Sequence, residues 1–508
     1  MAIPIHLKGG SYQSRSLIAN AQRAINLIPE INPEETDPEA PVTHYPRPGL
    51  LAFGAAGIPP TPGRGRGLYR ASNGDLYACV EDSVYYIDPT FNFVFLGKIA
   101  ANGAPVSFAD NGISNGQSIV LVDGTTAGYQ INMVTRAFSK IIDGTGLFVG
   151  ADKVQYFDTF FTFNQPGTNN WYSSLSLSVS FNALDIAAKG TYPDQIQSII
   201  ACQRIMWLVG QLTAEPWFNA GDPIFPFEEM PGQFVPHGTI SKYSVATSDV
   251  NAFWLSQDAD GKNIVLMTEG YAAKRISTHA LESEWLGYQT VSDAIAYTYQ
   301  QGGHTFYVLH FPTADKTWGY DLATKQWHQR ASIDGNGVLH RERVAFHAFA
   351  YGKNIGMDWQ TGQIYELNQD TYTDNSQPIV YIRSFPHVVD GLRLITVSEF
   401  VLDMETGQLA GIGEQDEVDT PFDLGFSSGF GPRTINPAPM VSLRVSKDGG
   451  ATFGNAREKA LLSAGHYRSL LRWRQLGRGR DWVFEVSWAS PMKTALQGAF
   501  LEAIKHTS

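Results

Sequence analysis

The sequence predicts an all-β protein, a β-propeller with an additional C-terminal β-sandwich-like domain and an N-terminal arm. Three observations predict it: aromatic richness with few charges, short apolar runs punctuated by Gly-containing turns, and a clean two-residue alternation near the end. The 508 residues are 12% aromatic and only 17% charged, with 49 Gly and 27 Pro. Flat rings pack well on a pleated surface, and a chain of this length exceeds one ordinary core unless it is a large β-domain. Boundaries follow from shifts in pattern: an arm and linker over 1–60, the propeller over 61–385 and the β-domain over 386–508.

Within the arm, QSRSLIANAQRAINLIPE (13–30) reads as the best helical candidate, closed by Pro29. EINPEETDPE (30–39) carries five acids and no base and reads as a solvated connection. Strand patterns begin at Tyr69. Three stretches vary one unit: 73–99, 302–332 and 352–374. Each gives a strand, a tight turn, a second strand ending in Asp or Asn, and an aromatic or apolar closure. In the middle copy Tyr320 and Asp321 end a strand, Thr324 and Lys325 turn, and Trp327 starts the next. The Asp side chain can bond back to turn amides while the Trp ring covers the adjoining sheet, as in propeller blades. The repeat is too degenerate to fix a blade count.

After residue 380 the pattern changes. VSEFVLDMETG (397–407) reads as a strand, followed by an acidic Gly- and Pro-rich excursion over 408–439. MVSLRVS (440–446) sets Val441, Leu443 and Val445 against Ser442, Arg444 and Ser446. DWVFEVSW (481–488) sets Trp482, Phe484, Val486 and Trp488 against Glu485 and Ser487. Such alternation predicts sheets with one buried and one wet face.

Between these strands lies SKDGGATFG (446–454). Its Ser446, Asp448, Gly450, Thr452 and Phe453 have the spacing of the Asp-box of sialidase-like propellers. The residues themselves read as a hairpin turn: Asp448 bonds turn amides, Gly449 and Gly450 permit positive φ, and Thr452 and Phe453 pin the next strand. In the families it resembles, that box is structural and lies away from the chemistry.

Catalytic and cofactor chemistry finds little support. Glycosidases use a carboxylate pair, and no spacing singles one out among acids such as Asp152, Asp158, Asp258 and Asp260. Thr317, Trp318 and Tyr320 could stack on a sugar, but read better as core. His304 and His310 read as structural histidines, PGRGRGLYR (62–70) lacks the following helix of a phosphate cradle, and no G-x-S-x-G elbow occurs. Cys79 and Cys202, each in an apolar run, are expected to be buried thiols, which leaves no disulfide framework or multi-cysteine zinc site. No cofactor, metal or catalytic residue is therefore expected. The N-terminus lacks the pattern of a signal peptide, no apolar run approaches a bilayer span, and cytoplasmic synthesis is expected.

One charge feature stands out. Arg457, Lys459, Arg468, Arg472, Arg474, Arg478 and Arg480 face a single acid, Glu458, in their segment, within a chain of net charge −12. The cluster reads either as a surface for DNA or an acidic partner, or as a solvated strand edge guarded by charge.

The order of SYQSRSLIANAQRAINLIPE, HYPRPGL, RGLYRASNGDLYACVEDSVYYID, FPTADKTWGYDLATKQWHQ and SKDGGATFGNAREKALLSAGHYRSLLRWRQLGRGRDWVFEVSWASPMKTALQGAFLEA resembles the packaged-DNA stabilisation proteins of short-tailed bacteriophages, also called tail accessory factors or tail nozzle proteins. The resemblance implies a non-enzymatic virion protein, synthesised in the host bacterial cytoplasm. It implies a homo-hexamer below the portal and its head-to-tail adaptor ring, with a tail needle, spikes or fibres beyond and double-stranded DNA passing through the channel. Arg468, Arg472, Arg474, Arg478 and Arg480 then become candidates for the contact with a neighbouring subunit or the adaptor. The competing expectation is a carbohydrate-binding or glycan-cleaving propeller of a phage tail.

Overall fold

The computed structural model describes residues 3–5, 9–16, 20–32, 42–190, 192–222, 225–258, 261, 263–391, 393–406, 439–461 and 467–505. The acidic stretches 33–40 and 407–438, and Asp260, lie outside the described residues. The chain divides into two compact units, one of 11–15 and 49–368, the other of 1–10, 16–48 and 369–508.

The first unit contains seven antiparallel four-stranded blades among the described residues, five of which are separate four-stranded sheets. Six are continuous in sequence, spanning 65–98, 107–140, 154–188, 196–229, 246–275 and 295–333. The seventh takes Val344–Ala350, Lys353–Asp358 and Ile364–Asn368, and its fourth strand is Gly49–Ala52, in register Leu50↔Leu367 and Leu51↔Glu366. The first strand of each sheet lies beside that of the next, and Val344–Ala350 lies beside Gly65–Arg70. The unit is a closed seven-bladed propeller, its ring completed by a strand from before the first blade.

A blade buries both faces, so its strands read as unbroken apolar runs while side chains still alternate between neighbours. In Leu76–Val80, Tyr77 and Cys79 pack with Phe108 and Leu121 of the second blade, whereas Leu76 and Ala78 pack with Ile355 and Met357 of the seventh. Both cysteines are buried and free. Trp171 is fully buried with Trp217, Phe225 and Phe227 around it. Thr317, Trp318 and Tyr320 are core residues, not a sugar platform.

The repeated unit behaves as its sequence implies. The Asp88 carboxylate accepts the amides of Thr90 and Asn92, at 2.8 and 3.0 Å. Asp321 accepts the amide of Ala323 at 3.0 Å and the Thr324 hydroxyl at 2.8 Å. Lys325 takes the positive φ of the turn, 57°. Trp327 then donates its indole N–H to the Ile276 carbonyl, 2.8 Å away, and packs on Trp285. The glycine-rich 62–70 enters the first blade as a strand, with Arg66 buried and donating to the carbonyls of Glu81, Ala100 and Ala104. His304 meets a carboxylate that sequence spacing hides, Asp321 at 2.8 Å across a strand pair, and buried His310 lies 2.9 Å from the Thr317 hydroxyl.

In the second unit two sheets enclose one core. One has the order 468–479, 395–406, 494–505, 42–46, 27–31, with Ile3–Ile5 added to Thr494–Lys505. The other carries Ala24–Ile25, Val380–Ser384, Asp481–Ala489, Met440–Ser446 and Arg457–Ala460. Phe400, Leu402, Leu471 and Trp473 from the first meet Tyr381, Leu443, Trp482, Phe484 and Trp488 from the second. This is the β-sandwich that the alternation predicts.

Two expectations are corrected. The described part of 13–30 is not helical; it forms short strands, and Ala24 and Ile25 are fully buried opposite Arg383 and Ile382. Tertiary pairing overrides the weak helical preference of the stretch. The α-helix among the described residues is His279–Trp285. Glu485 is not on a wet face: its strand is central in its sheet, and the buried carboxylate accepts the Ser384 hydroxyl at 2.8 Å beside Arg23 and Arg444.

Candidate functional site

The Asp-box turn joins Met440–Ser446 to Arg457–Ala460. The Ser446 hydroxyl donates to Asp448 at 2.6 Å, and Asp448 accepts both the amide and the hydroxyl of Thr452, at 2.9 and 2.5 Å. These bonds, the Ser446 hydroxyl first among them, hold the Asp448 carboxyl down to about 2. Phe453 is half-buried, with the Arg444 guanidinium 5.2 Å from its ring centre. The carboxylate is spent inside its own turn. Gly449 and Gly450 have φ of 71° and 89°, and a Cβ on Gly450 would stand 3.0 Å from that of Ala21. Gly450→Ala is therefore expected to lower sandwich stability by about 1–3 kcal/mol, measured by urea unfolding. Gly454→Ala, whose new Cβ meets nothing closer than 3.6 Å, should change it by less than about 0.5 kcal/mol.

The five candidate arginines lie on or just after Arg468–Gly479, which among the described residues pairs on one side only, with Ile395–Thr406. Arg468, Arg472 and Arg474 share its outward face with Leu470, while Ser469, Leu471 and Trp473 point inward. Arg468 forks onto Asp403, with Nε to Oδ1 at 2.9 Å and Nη2 to Oδ2 at 2.5 Å. Arg472 and Arg474 both bond to Glu399, at 3.1 and 2.9 Å, and these bonds, that from Arg474 foremost, lower the pKa of the glutamate. Gln475, with φ of 58°, and a register shift at Val397/Glu399 end the regular stretch. Arg478 and Arg480 lie beyond this bulge and are exposed. The structure thus brings Arg468, Arg472 and Arg474 onto one ladder. The partner acids could not be seen from sequence, because they come from a strand more than sixty residues away.

In the propeller, the first, fifth, sixth and seventh blades line a cleft of about 720 Å³ with Tyr69, Arg70, Asp249, Gln300, His347 and Asn354. Asp249 accepts from the Gln300 amide at 2.9 Å, and His347 Nε2 stands 3.0 Å from Asn354 Oδ1. Burial pushes His347 down to about 4. Asp249 is the one carboxylate among the described residues lining this cleft, so they supply no acid pair for glycoside hydrolysis. Asp152 is committed elsewhere, to Lys242 and Asn164, and Asp158 faces Arg204. No group of three or more His, Cys, Asp or Glu among the described residues is placed to hold a metal, and no described helix is long and apolar enough to cross a membrane.

The two units are a closed seven-bladed propeller and a β-sandwich, and the Asp-box carboxylate and Arg468 are engaged within the fold. The chain belongs to the phage stabilisation family described as "Bacteriophage P22 Gp10, beta-propeller", whose model matches residues 1–372. It is accordingly a structural protein of the phage tail, associated with stabilising packaged DNA and assembling with other virion components. The match covers the whole propeller and stops within the sandwich unit. A search of curated proteins found no match.

Proposed function

We propose that the chain forms a hexameric nozzle below the portal and head-to-tail adaptor, extending and closing the DNA channel. It retains packaged DNA, carries its ejection, and bears the tail needle, spikes or fibres. It is not an enzyme. Family membership over the entire propeller carries this reading. A closed propeller offers many loops from which contacts around one collar could be made, which suits this reading. Net charge supports it too: a channel that lets DNA slide should not grip phosphate, and the chain carries −12. In this reading Arg468, Arg472, Arg474, Arg478 and Arg480 face a neighbouring subunit or the adaptor. Electron microscopy of particles copurifying with the tagged chain, averaged without imposed symmetry, tests it. The expected image is a sixfold ring with an axial channel stacked on a wider ring. A chain at the periphery, as a spike or fibre, would overturn it in favour of a glycan-binding role.

A further inference from the structure

The sandwich edge has a chemistry more specific than positive charge. Two strands that are edges among the described residues, Arg468–Gly479 of one sheet and Arg457–Ala460 of the other, run along the same side of the core. The Trp473 indole donates to the Arg457 carbonyl at 2.9 Å, and Arg457 Nη1 donates to the Arg474 carbonyl at 3.1 Å. Between them lies a cleft of about 480 Å³ lined by Arg457, Glu458, Lys459, Arg472, Trp473 and Arg474. Positive charge is in surplus here. Arg472 and Arg474 share the single Glu399, Arg457 donates to a carbonyl, and Lys459 has no carboxylate partner among the described residues.

From these observations we infer that 468–474 is a docking edge for an extended acidic segment of a protein partner, added as one further strand. An edge strand presents a row of backbone donors and acceptors that another strand can satisfy in series, apart here from the Arg474 carbonyl, which already accepts from Arg457. The outward face then dictates the partner's side chains. Residues directly opposite in an antiparallel pair approach within about 4.5–5.5 Å. Carboxylates are therefore required opposite Arg474 and Arg472, which share one glutamate, with an apolar residue opposite Leu470, which is 47% exposed. The intervening residues point toward Trp473 and should be small or apolar. The motif is acid-x-acid-x-apolar, and the bulge at Gln475 sets its limit. DNA fits less well, because a duplex has no strand edge to offer and Glu458 stands in the cleft wall. The nozzle reading bears only on who supplies the segment, not on its chemistry.

The test is fluorescence anisotropy on the full chain with a labelled peptide carrying this motif with glutamate at the acid positions. Its probes for comparison are an all-glutamine version, a scrambled peptide of equal composition, and a short DNA duplex. Expected are saturable binding, a loss of about tenfold or more for the glutamine and scrambled peptides, and weakening of about fivefold by Lys459→Glu. Lys459 makes no ion pair among the described residues, so its variant should melt like the parent. Leu470→Ala should also weaken binding without changing the melt. No binding of the acidic peptide at millimolar concentration, equal binding of the scrambled peptide, or tighter binding of DNA would each overturn the inference. Failure here with a sixfold ring in the microscope would leave the nozzle reading standing.

Discussion

Asp374→Ala is expected to lower the stability of the sandwich unit by about 3–5 kcal/mol, because it strands a buried guanidinium. Arg47 and Asp374 are both nearly inaccessible. The guanidinium forks onto the carboxylate, Nη1 to Oδ1 at 3.0 Å and Nη2 to Oδ2 at 2.5 Å, while Nε donates to Asn26 at 2.9 Å. The pair ties the start of the chain to the segment that follows the propeller. Removing one partner leaves a charge that water cannot reach, and that penalty exceeds the value of the contact itself. The double variant Arg47→Met, Asp374→Leu removes both charges and should recover most of the loss. Differential scanning calorimetry of the three proteins checks this. A single variant within 0.5 kcal/mol of the parent, or a double variant no better than the single, would show that the pair is not desolvated as its burial implies.

This pair also marks the limit of what sequence can reveal. The blades are legible because their physics is local: an Asp ending a strand satisfies amides two to four residues on, and an aromatic residue opens the next strand. The turn bonds of Asp88 and Asp321 are made within four residues of the carboxylate. The sandwich strands are legible for the same reason, as alternation over seven to nine residues is a property of the segment alone. What escapes is whatever depends on pairing between distant segments. Ala24 and Ile25 sit in a stretch of fair helix formers and form a strand paired with Val380–Ser384, far away in sequence. The acids that hold Arg468, Arg472 and Arg474 belong to a neighbour whose register, Glu399↔Arg474, no spacing announces. A basic run that looked unopposed in sequence is half neutralised in the fold. Its remaining surplus, Lys459 above all, is what sharpens a charge patch into a docking edge.

Leu50→Ala is expected to destabilise the propeller by about 2–5 kcal/mol, whereas Leu51→Ala, one residue away, should change it by less than about 0.5 kcal/mol. Leu50 is 1% exposed and pairs with Leu367; Leu51 is 43% exposed and pairs with Glu366. The contrast is a property of the pleat, which sends neighbouring side chains to opposite faces. Its size is a property of the ring. Gly49–Ala52 supplies the outer strand of the seventh blade, so the first blade and the last are held to each other by this segment as well as by their side-by-side inner strands. In a closed ring each blade is clamped by two neighbours, and loosening the closure exposes the faces of the seventh and first blades, where Leu68, Leu76, Ile355 and Ile364 pack together. Hydrogen exchange should therefore show Leu50→Ala deprotecting those two blades before the others. Uniform deprotection of all seven would mean instead that the ring opens as one cooperative unit, and protection unchanged from the parent would mean that the four-residue strand is not what closes it.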